Sequence, residues 1–214
     1  MKVLVINGSP HVRGCTARAL EEAVKTLHAE GIETELIEVG SKKISGCLGC
    51  NYCGKAGKCV QNDLVNEVSE KLKEADGLLV GSPVYYGSPN GTLLSFLDRL
   101  FYSAPYSMHM KVGAAIVSCR RGGASASFDV LNKYFTISGM PVASSTYWNS
   151  VHGFTAADVE KDLEGLQTVR NIAHNMAFLI RSIAAQKEEK GLPVEEHGSF
   201  TSFPDGKLGG HGRT

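Results

Sequence analysis

Apolar positions along the chain switch repeatedly between strand-like and helix-like spacing. Lys2–Ile6 is a compact β-branched run and Glu33–Val39 alternates, while Gly77–Val80 and Val112–Ser118 are continuous apolar segments of strand length. Val142–Trp148 completes an expected set of five strands. Helical spacing predicts Thr16–Ala29, Leu64–Glu74, Gly91–Tyr102, Ala124–Ile137 and a long helix from Ala156 to about Lys187. Asp63 stands where an N-cap is wanted before Leu64. Five strand–helix repeats predict an α/β fold, a parallel sheet with helices on both faces. The repeats form one domain over residues 1–187, with an irregular insertion at residues 40–62. Residues 188–214, rich in Gly, Pro, His and charge, are expected to be a mobile or partner-bound tail.

Charge removes some classes of partner. Lysine plus arginine number 22 and aspartate plus glutamate 22, so no net field draws nucleic acid or acidic lipid. No apolar stretch approaches the roughly 20 residues that span a bilayer. Met1-Lys2 precedes only Val3–Ile6 before Asn7-Gly8, too short for a signal-peptide core. The expectation is a cytoplasmic protein with neither nucleic acid nor membrane as partner.

The chemistry gathers where strands end. Ser82-Pro83-Val84-Tyr85-Tyr86-Gly87-Ser88 leads from an apolar strand into a helix, presenting backbone N–H groups and two rings where open α/β sheets bind flat, anionic ligands. Gly8-Ser9-Pro10-His11-Val12-Arg13-Gly14-Cys15-Thr16 sets small hydroxyl residues before a helix N-terminus, a phosphate-compatible arrangement. It lacks the Gly-Lys-Ser/Thr of a P-loop and the GxGxxG of a dinucleotide fold. Ser118-Cys119-Arg120-Arg121-Gly122-Gly123 adds paired glycines and two arginines, and Tyr147–Gly153 carries the single tryptophan. Taken singly, each is also what an ordinary capped βα turn looks like, and Trp148 alone reads as core. Four such loops at one edge favour a flat aromatic cofactor with a phosphate tail.

A second signal is Cys47-x-x-Cys50-x-x-Cys53-x5-Cys59, four of the six cysteines. In a reducing compartment that density points to metal or redox chemistry more than to disulfides. An iron–sulfur cluster, free or redox-active thiols, and zinc all remain open. Cys15 and Cys119 are isolated and fit small packed positions. The histidines form neither HExxH nor a Ser–His–Asp order.

Lys2–Asn7 with Gly8-Ser9-Pro10 and Gly14-x-Thr16, followed by Ser82-Pro83-Val84-Tyr85-Tyr86-Gly87-Ser88, resembles the NADPH-dependent FMN reductase family of flavodoxin-like proteins over roughly residues 1–185. The cysteine segment resembles that of the iron–sulfur flavoproteins in the same superfamily. The resemblance implies strand order 2-1-3-4-5. It implies that Ser9, Arg13 and Thr16 hold the FMN phosphate, with Pro83, Val84, Tyr85, Tyr86 and Gly87 wrapping the isoalloxazine. Ser118, Arg120, Arg121, Gly122 and Gly123 would border the ring's pyrimidine edge, and Cys47, Cys50, Cys53 and Cys59 would ligate a [4Fe–4S] cluster where one is present. The implied activity is NAD(P)H oxidation by FMN, with hydride moving to flavin N5 and electrons leaving to a small-molecule acceptor or redox protein. Two alternatives are an iron–sulfur flavoprotein electron carrier and a flavin-binding regulator. A homodimer or homotetramer is expected, with Tyr52, Phe101, Tyr102 and Tyr106 exposed near the cofactor.

Overall fold

A computed structural model describes residues 1–196. In chain order the elements are β1 (Lys2–Asn7), α1 (Cys15–Ala29), β2 (Glu33–Glu38), α2 (Tyr52–Ala56), α3 (Leu64–Glu74), β3 (Gly77–Tyr85), β4 (Ser88–Pro89), α4 (Gly91–Ser103), β5 (Val112–Cys119), α5 (Ala124–Ile137), β6 (Ser150–His152), α6 (Ala156–Val159) and α7 (Leu163–Lys190). The parallel strands lie in the order β2-β1-β3-β5-β6, and β4 folds back antiparallel on β3. Counting parallel strands alone, this is the expected 2-1-3-4-5 order with one short strand added.

Alternation of side chains across the pleat makes the two cores. Val3, Val5, Leu79, Ala114 and Ile116 pack against α1 and α7. Leu4, Ile6, Leu78, Val80, Ala115 and Val117 pack against α3, α4 and α5 on the other face. Because both faces are covered, the strands carry continuous apolar runs. Asp63 caps α3 by accepting from the Val65 N–H at 3.1 Å.

Two expected elements are different in the structure. Val142–Trp148 is not a strand: only Val142 bridges to Gly113, and the last parallel strand is Ser150–His152. Hydrogen bonds to α7 replace the ladder there: the Ser145 hydroxyl donates to the Thr168 carbonyl at 2.7 Å, and the Asn175 amide donates to the Ser144 carbonyl at 2.8 Å. The helix expected from Ala156 splits into α6 and α7. The first ends at Val159 with Glu160 as its C-cap, and Asp162 caps the second, accepting from the Gly165 N–H at 2.9 Å and also from the His152 N–H at 2.6 Å. Helix α7 extends past the expected boundary to Lys190, and residues 197–214 of the tail lie outside the described residues. Among the described residues no helix is long and apolar enough to cross a membrane.

Candidate functional site

The loop after β1 is fastened from both sides. The Gly8 N–H donates to the Gly81 carbonyl at 2.8 Å, and the insertion begins by passing over the loop so tightly that a Cβ on Gly40 would overlap Ser9. Ser9 is buried; its N–H donates to Asn7 Oδ1 at 3.0 Å and its hydroxyl accepts from the His11 N–H at 3.1 Å. Asn7 is held in turn by its amide donating to Glu38 at 2.9 Å, and burial pushes the Glu38 carboxyl above its ordinary range. Helix α1 follows with Gly14 at its N-cap, no side-chain cap and no acid in its first turn. Its first N–H groups and positive dipole end are therefore available to an anion. Arg13 is exposed at the same turn.

Thr16 ties this loop to the one after β5, its buried hydroxyl lying 2.7 Å from the Ser118 hydroxyl. The third loop then meets the second. Val84 pairs with Pro89 and Tyr85 with Ser88, so Tyr86-Gly87 is a two-residue hairpin turn with φ of 51° and 80°. That is the left-handed twist of a type I′ turn, which Gly accepts freely and Tyr only at a cost. Gly123, at φ 89°, abuts this tip, and a Cβ there would lie 2.8 Å from Gly87 Cα and from Val84 Cγ1. Tyr86 is fully exposed; Arg120, Arg121 and Gly122 are also exposed. The structure thus buries Ser9, Thr16 and Ser118, a candidate floor, sets the Pro83–Gly87 segment against Gly123 as a candidate wall, and leaves Arg13, Arg120 and Arg121 exposed.

The fourth segment enters β6 instead of leaving a strand. Asn149 is buried, its amide donating to the Ala115 carbonyl at 3.0 Å, and its Oδ1 finds no partner among the described residues. Tyr147 and Trp148 are exposed, with ring centroids 5.2 Å apart. Trp148 is therefore a surface ring rather than a core residue. Burial pushes the Cys15 and Cys119 thiols up, so neither is an activated nucleophile.

Cys47, Cys50, Cys53 and Cys59 line one small cavity together with Leu48, Arg99, Tyr102 and Ser103. The Gly49 N–H points at Cys47 Sγ at 3.5 Å, and the Arg99 Nε–H donates to Cys59 Sγ at 3.3 Å. Ser103 Oγ is buried and has no partner among the described residues. The donor set suits a thiolate-held group: four sulfurs around a cavity, N–H donors aimed at two of them, and one hydroxyl unused. A single tetrahedral ion needs its ligands at about 2.3 Å from one point, and among the described residues no three Cys, His, Asp or Glu side chains stand that way. Of the aromatics expected to be exposed, Tyr52 and Tyr102 are. Phe101 instead packs on Tyr134 and Phe135, and the Tyr106 hydroxyl donates to the Ser69 carbonyl at 2.6 Å.

Sequence reasoning missed Asn7, Asn149 and Arg99. Arg99 had a signal, because it lies three residues after Phe96 and four before Ser103, on a single face of α4.

Comparisons with known proteins agree with this architecture. The chain is 36% identical over 194 residues to an iron–sulfur flavoprotein of Methanocaldococcus jannaschii, covering 86% of this chain and 99% of that one. It is 28% identical over 193 residues to an iron–sulfur flavoprotein of Methanosarcina thermophila, covering 88% of this chain and 100% of the relative. Among solved structures, RosB with bound 8-demethyl-8-formylriboflavin-5′-phosphate matches at TM-score 0.71 and 17% identity, over 99% of this chain and 97% of its own. An archaeal flavodoxin matches at TM-score 0.58 and 18% identity, over 85% of this chain and 99% of its own. The fold is flavodoxin-like. Residues 1–155 match the profile of the NADPH-dependent FMN reductases, and the chain belongs to that family, close to its iron–sulfur flavoprotein branch.

Proposed function

We propose that the chain is an FMN-dependent oxidoreductase in which Cys47, Cys50, Cys53 and Cys59 hold a [4Fe–4S] cluster as a second redox group. NAD(P)H is the electron source, and a small-molecule acceptor or redox protein takes the electrons. The observation that carries this reading is the joint placement of the two regions on α4. The helix starts at Gly91, beside the Tyr85–Gly87 hairpin, and reaches the cysteine cavity at Arg99 and Ser103. At ~1.5 Å of rise per residue the axial span from Gly91 to Arg99 is about 12 Å.

Each group has a physical task. The α1 N-terminus with Ser9 and Thr16 receives a phosphate, and Arg13 offsets its charge. Pro83–Gly87 and Gly122-Gly123 offer backbone and ring surface to a flat heterocycle, and Arg120 and Arg121 add positive potential at its edge. FMN, when bound, supplies the electron-transfer chemistry, so no protein acid, base or nucleophile is assigned. The names of the relatives support the cluster, as does the cavity ringed by four thiols. The exposed rings Tyr86, Tyr147 and Trp148 at the site's rim support a homodimer or homotetramer that covers them.

The test is anaerobic purification with flavin identification and assay of iron and labile sulfide. FMN with both iron and sulfide is the expected result. FMN without iron after reconstitution removes the cluster, and FAD alone or no flavin removes the whole reading. Bleaching of the flavin by NADPH or NADH in an anaerobic cuvette tests the electron source separately.

A further inference from the structure

We propose that Arg99 is the positioning residue of the cysteine loop and sets the reduction potential of the redox group held there, an inference that rests on the cluster reading above. Arg99 is 1% exposed, the largest fully buried side chain among the described residues. All five of its N–H donors are used. Nε–H goes to Cys59 Sγ at 3.3 Å; one terminal nitrogen donates to the Ser45 carbonyl at 3.2 Å and Asp63 Oδ2 at 2.7 Å; the other donates to the Gln61 carbonyl at 3.2 Å and Asp63 Oδ1 at 2.8 Å. Burial alone would lower its pKa, but the hydrogen bonds it donates to Asp63 and Cys59 outweigh it and the group is held more firmly protonated than usual.

The geometry of these partners matters more than their number. Ser45 precedes the first cysteine, Cys59 is the last, and Gln61 and Asp63 lead into α3. One rigid guanidinium therefore fastens both ends of the cysteine loop to α4. The middle is held more lightly: α2 buries no residue, Leu48, Tyr52 and Val60 are exposed, and its bonds to α4 are the Tyr102 hydroxyl donating to Asn51 at 3.2 Å and the Cys53 thiol to the Tyr102 carbonyl at 4.0 Å. Burying an arginine for packing alone is costly. An apolar residue would fill the same volume without that cost, but it would take the donor from the Ser45 carbonyl and the Cys59 sulfur and leave the Gln61 carbonyl only with Asn66 and the Asp63 N–H.

The charge itself has a second consequence. A cationic N–H donor on a ligating sulfur favours the more negative, reduced state of the group, and hydrogen bonds to sulfur and net charge are among the levers that set cluster potentials. Ser103, one turn beyond Arg99 and lining the same cavity with its hydroxyl unpartnered, can add a weaker donor.

The experiment uses the full chain with Arg99→Lys, Arg99→Gln, and Arg99→Met combined with Asp63→Asn. The last removes both charges together and leaves no buried ion unpaired, so it keeps the test decisive if a single change fails to fold. Two readouts are taken. Hydrogen exchange over residues 45–62 in metal-free protein should speed up several-fold in every variant, Lys included, because only the planar fork reaches both ends of the loop. The midpoint potential of the reconstituted iron centre should fall most in Gln, by up to a tenfold change in the one-electron equilibrium, about 59 mV, and less in the double variant, where the two lost charges offset each other and only the hydrogen bond to sulfur is removed. It should fall less in Lys, which keeps the charge. Wild-type exchange rates overturn the positioning role. Unchanged potentials in variants that retain iron overturn the tuning role. Wild type that binds no iron defeats the cluster reading instead, while the metal-free exchange arm still decides whether Arg99 orders the loop.

Discussion

The loops at the carboxyl edge of the sheet lean on buried strands, whereas residues 45–62 are held mainly by side chains of α3 and α4, with one buried guanidinium at their centre. At the edge, Gly8 bonds to Gly81, Thr16 to Ser118 and Asn149 to Ala115. Each contact joins two elements that the core already fixes. The insertion has no core of its own. Its turns at Gly49, Asn51 and Gly57 have positive φ, and it is tied to the domain by Arg99 with Asp63, by Asn66 of α3 bonding to Cys59 and Gln61, and by the Tyr102 hydroxyl donating to Asn51. A site built on crossing strands tolerates the loss of one contact better than a site held by a few side chains, of which one makes five of the bonds. The difference teaches where each candidate function is vulnerable.

The largest expected effect is therefore at the insertion's anchor. Asp63→Ala removes the carboxylate partner of buried Arg99 and the N-cap of α3. Breaking a buried pair by deleting one partner costs about 3–5 kcal/mol, and the low end applies because Asp63 keeps 27% of its side chain exposed. Urea unfolding should show that loss, with FMN affinity changed far less than stability. An equal fall in FMN affinity would mean that the two regions are one unit, and the comparison would be broken.

At the edge, Thr16→Val removes a hydroxyl from the floor and its bond to Ser118. If that hydroxyl meets a phosphate, affinity for FMN should weaken by about 1.5–3 kcal/mol, read by quenching of flavin fluorescence. Iron content should be unchanged. Wild-type affinity would exclude Thr16 from the phosphate site.

How much of this could be read from the chain follows the same division. Strands buried on both faces announce themselves as continuous apolar runs, and Ala124–Ile137 and the Asp63 cap occur where the pattern puts them. The hairpin was hidden because its turn is Tyr86-Gly87, not the Asn-Gly that usually marks a type I′ turn. Val142–Trp148 reads as a strand, but its Ser and Thr side chains bond to α7 in place of a sheet neighbour. The four cysteines were legible as a group. Their organiser was not, since an arginine in an amphipathic helix ordinarily reads as solvent-facing and only its shared face with Phe96 and Ser103 says otherwise.

A smaller effect tests whether the edge loops truly brace one another. Gly123→Ala places a Cβ against Gly87 and Val84 at φ 89°, where an L-residue pays about 1–2 kcal/mol for the conformation alone. The expected outcome is a stability loss of that order together with weaker FMN binding, since the Pro83–Gly87 wall must shift. Thermal unfolding with and without FMN separates the two. A stability loss without any change in FMN affinity would show that the hairpin tip moves independently of the ligand site.

The smallest effect concerns the scaffold behind the edge and sharpens the claim of redundancy. Glu22 on α1 accepts from Arg170 of α7 at 2.7 Å and from Arg18 at 3.0 Å, and Arg18 also pairs with Glu160. Burial raises the Glu22 pKa, but hydrogen bonds from Arg170 and Arg18 outweigh it, so the carboxyl lies below its ordinary range in the folded chain. A carboxyl with a folded pKa below its unfolded one contributes stability that is complete above the unfolded value, about 4.3. That contribution is lost as the pH falls through the lowered folded value. Glu22→Gln should therefore cost about 1 kcal/mol or less at neutral pH, because the same two helices are also joined through their shared core. In urea unfolding the wild type and variant should converge as the pH drops below about 4.3. A gap that stays constant into acid would mean that Glu22 acts through packing, and a gap of several kcal/mol at neutral pH would mean that the scaffold behind the edge depends on a single charged anchor.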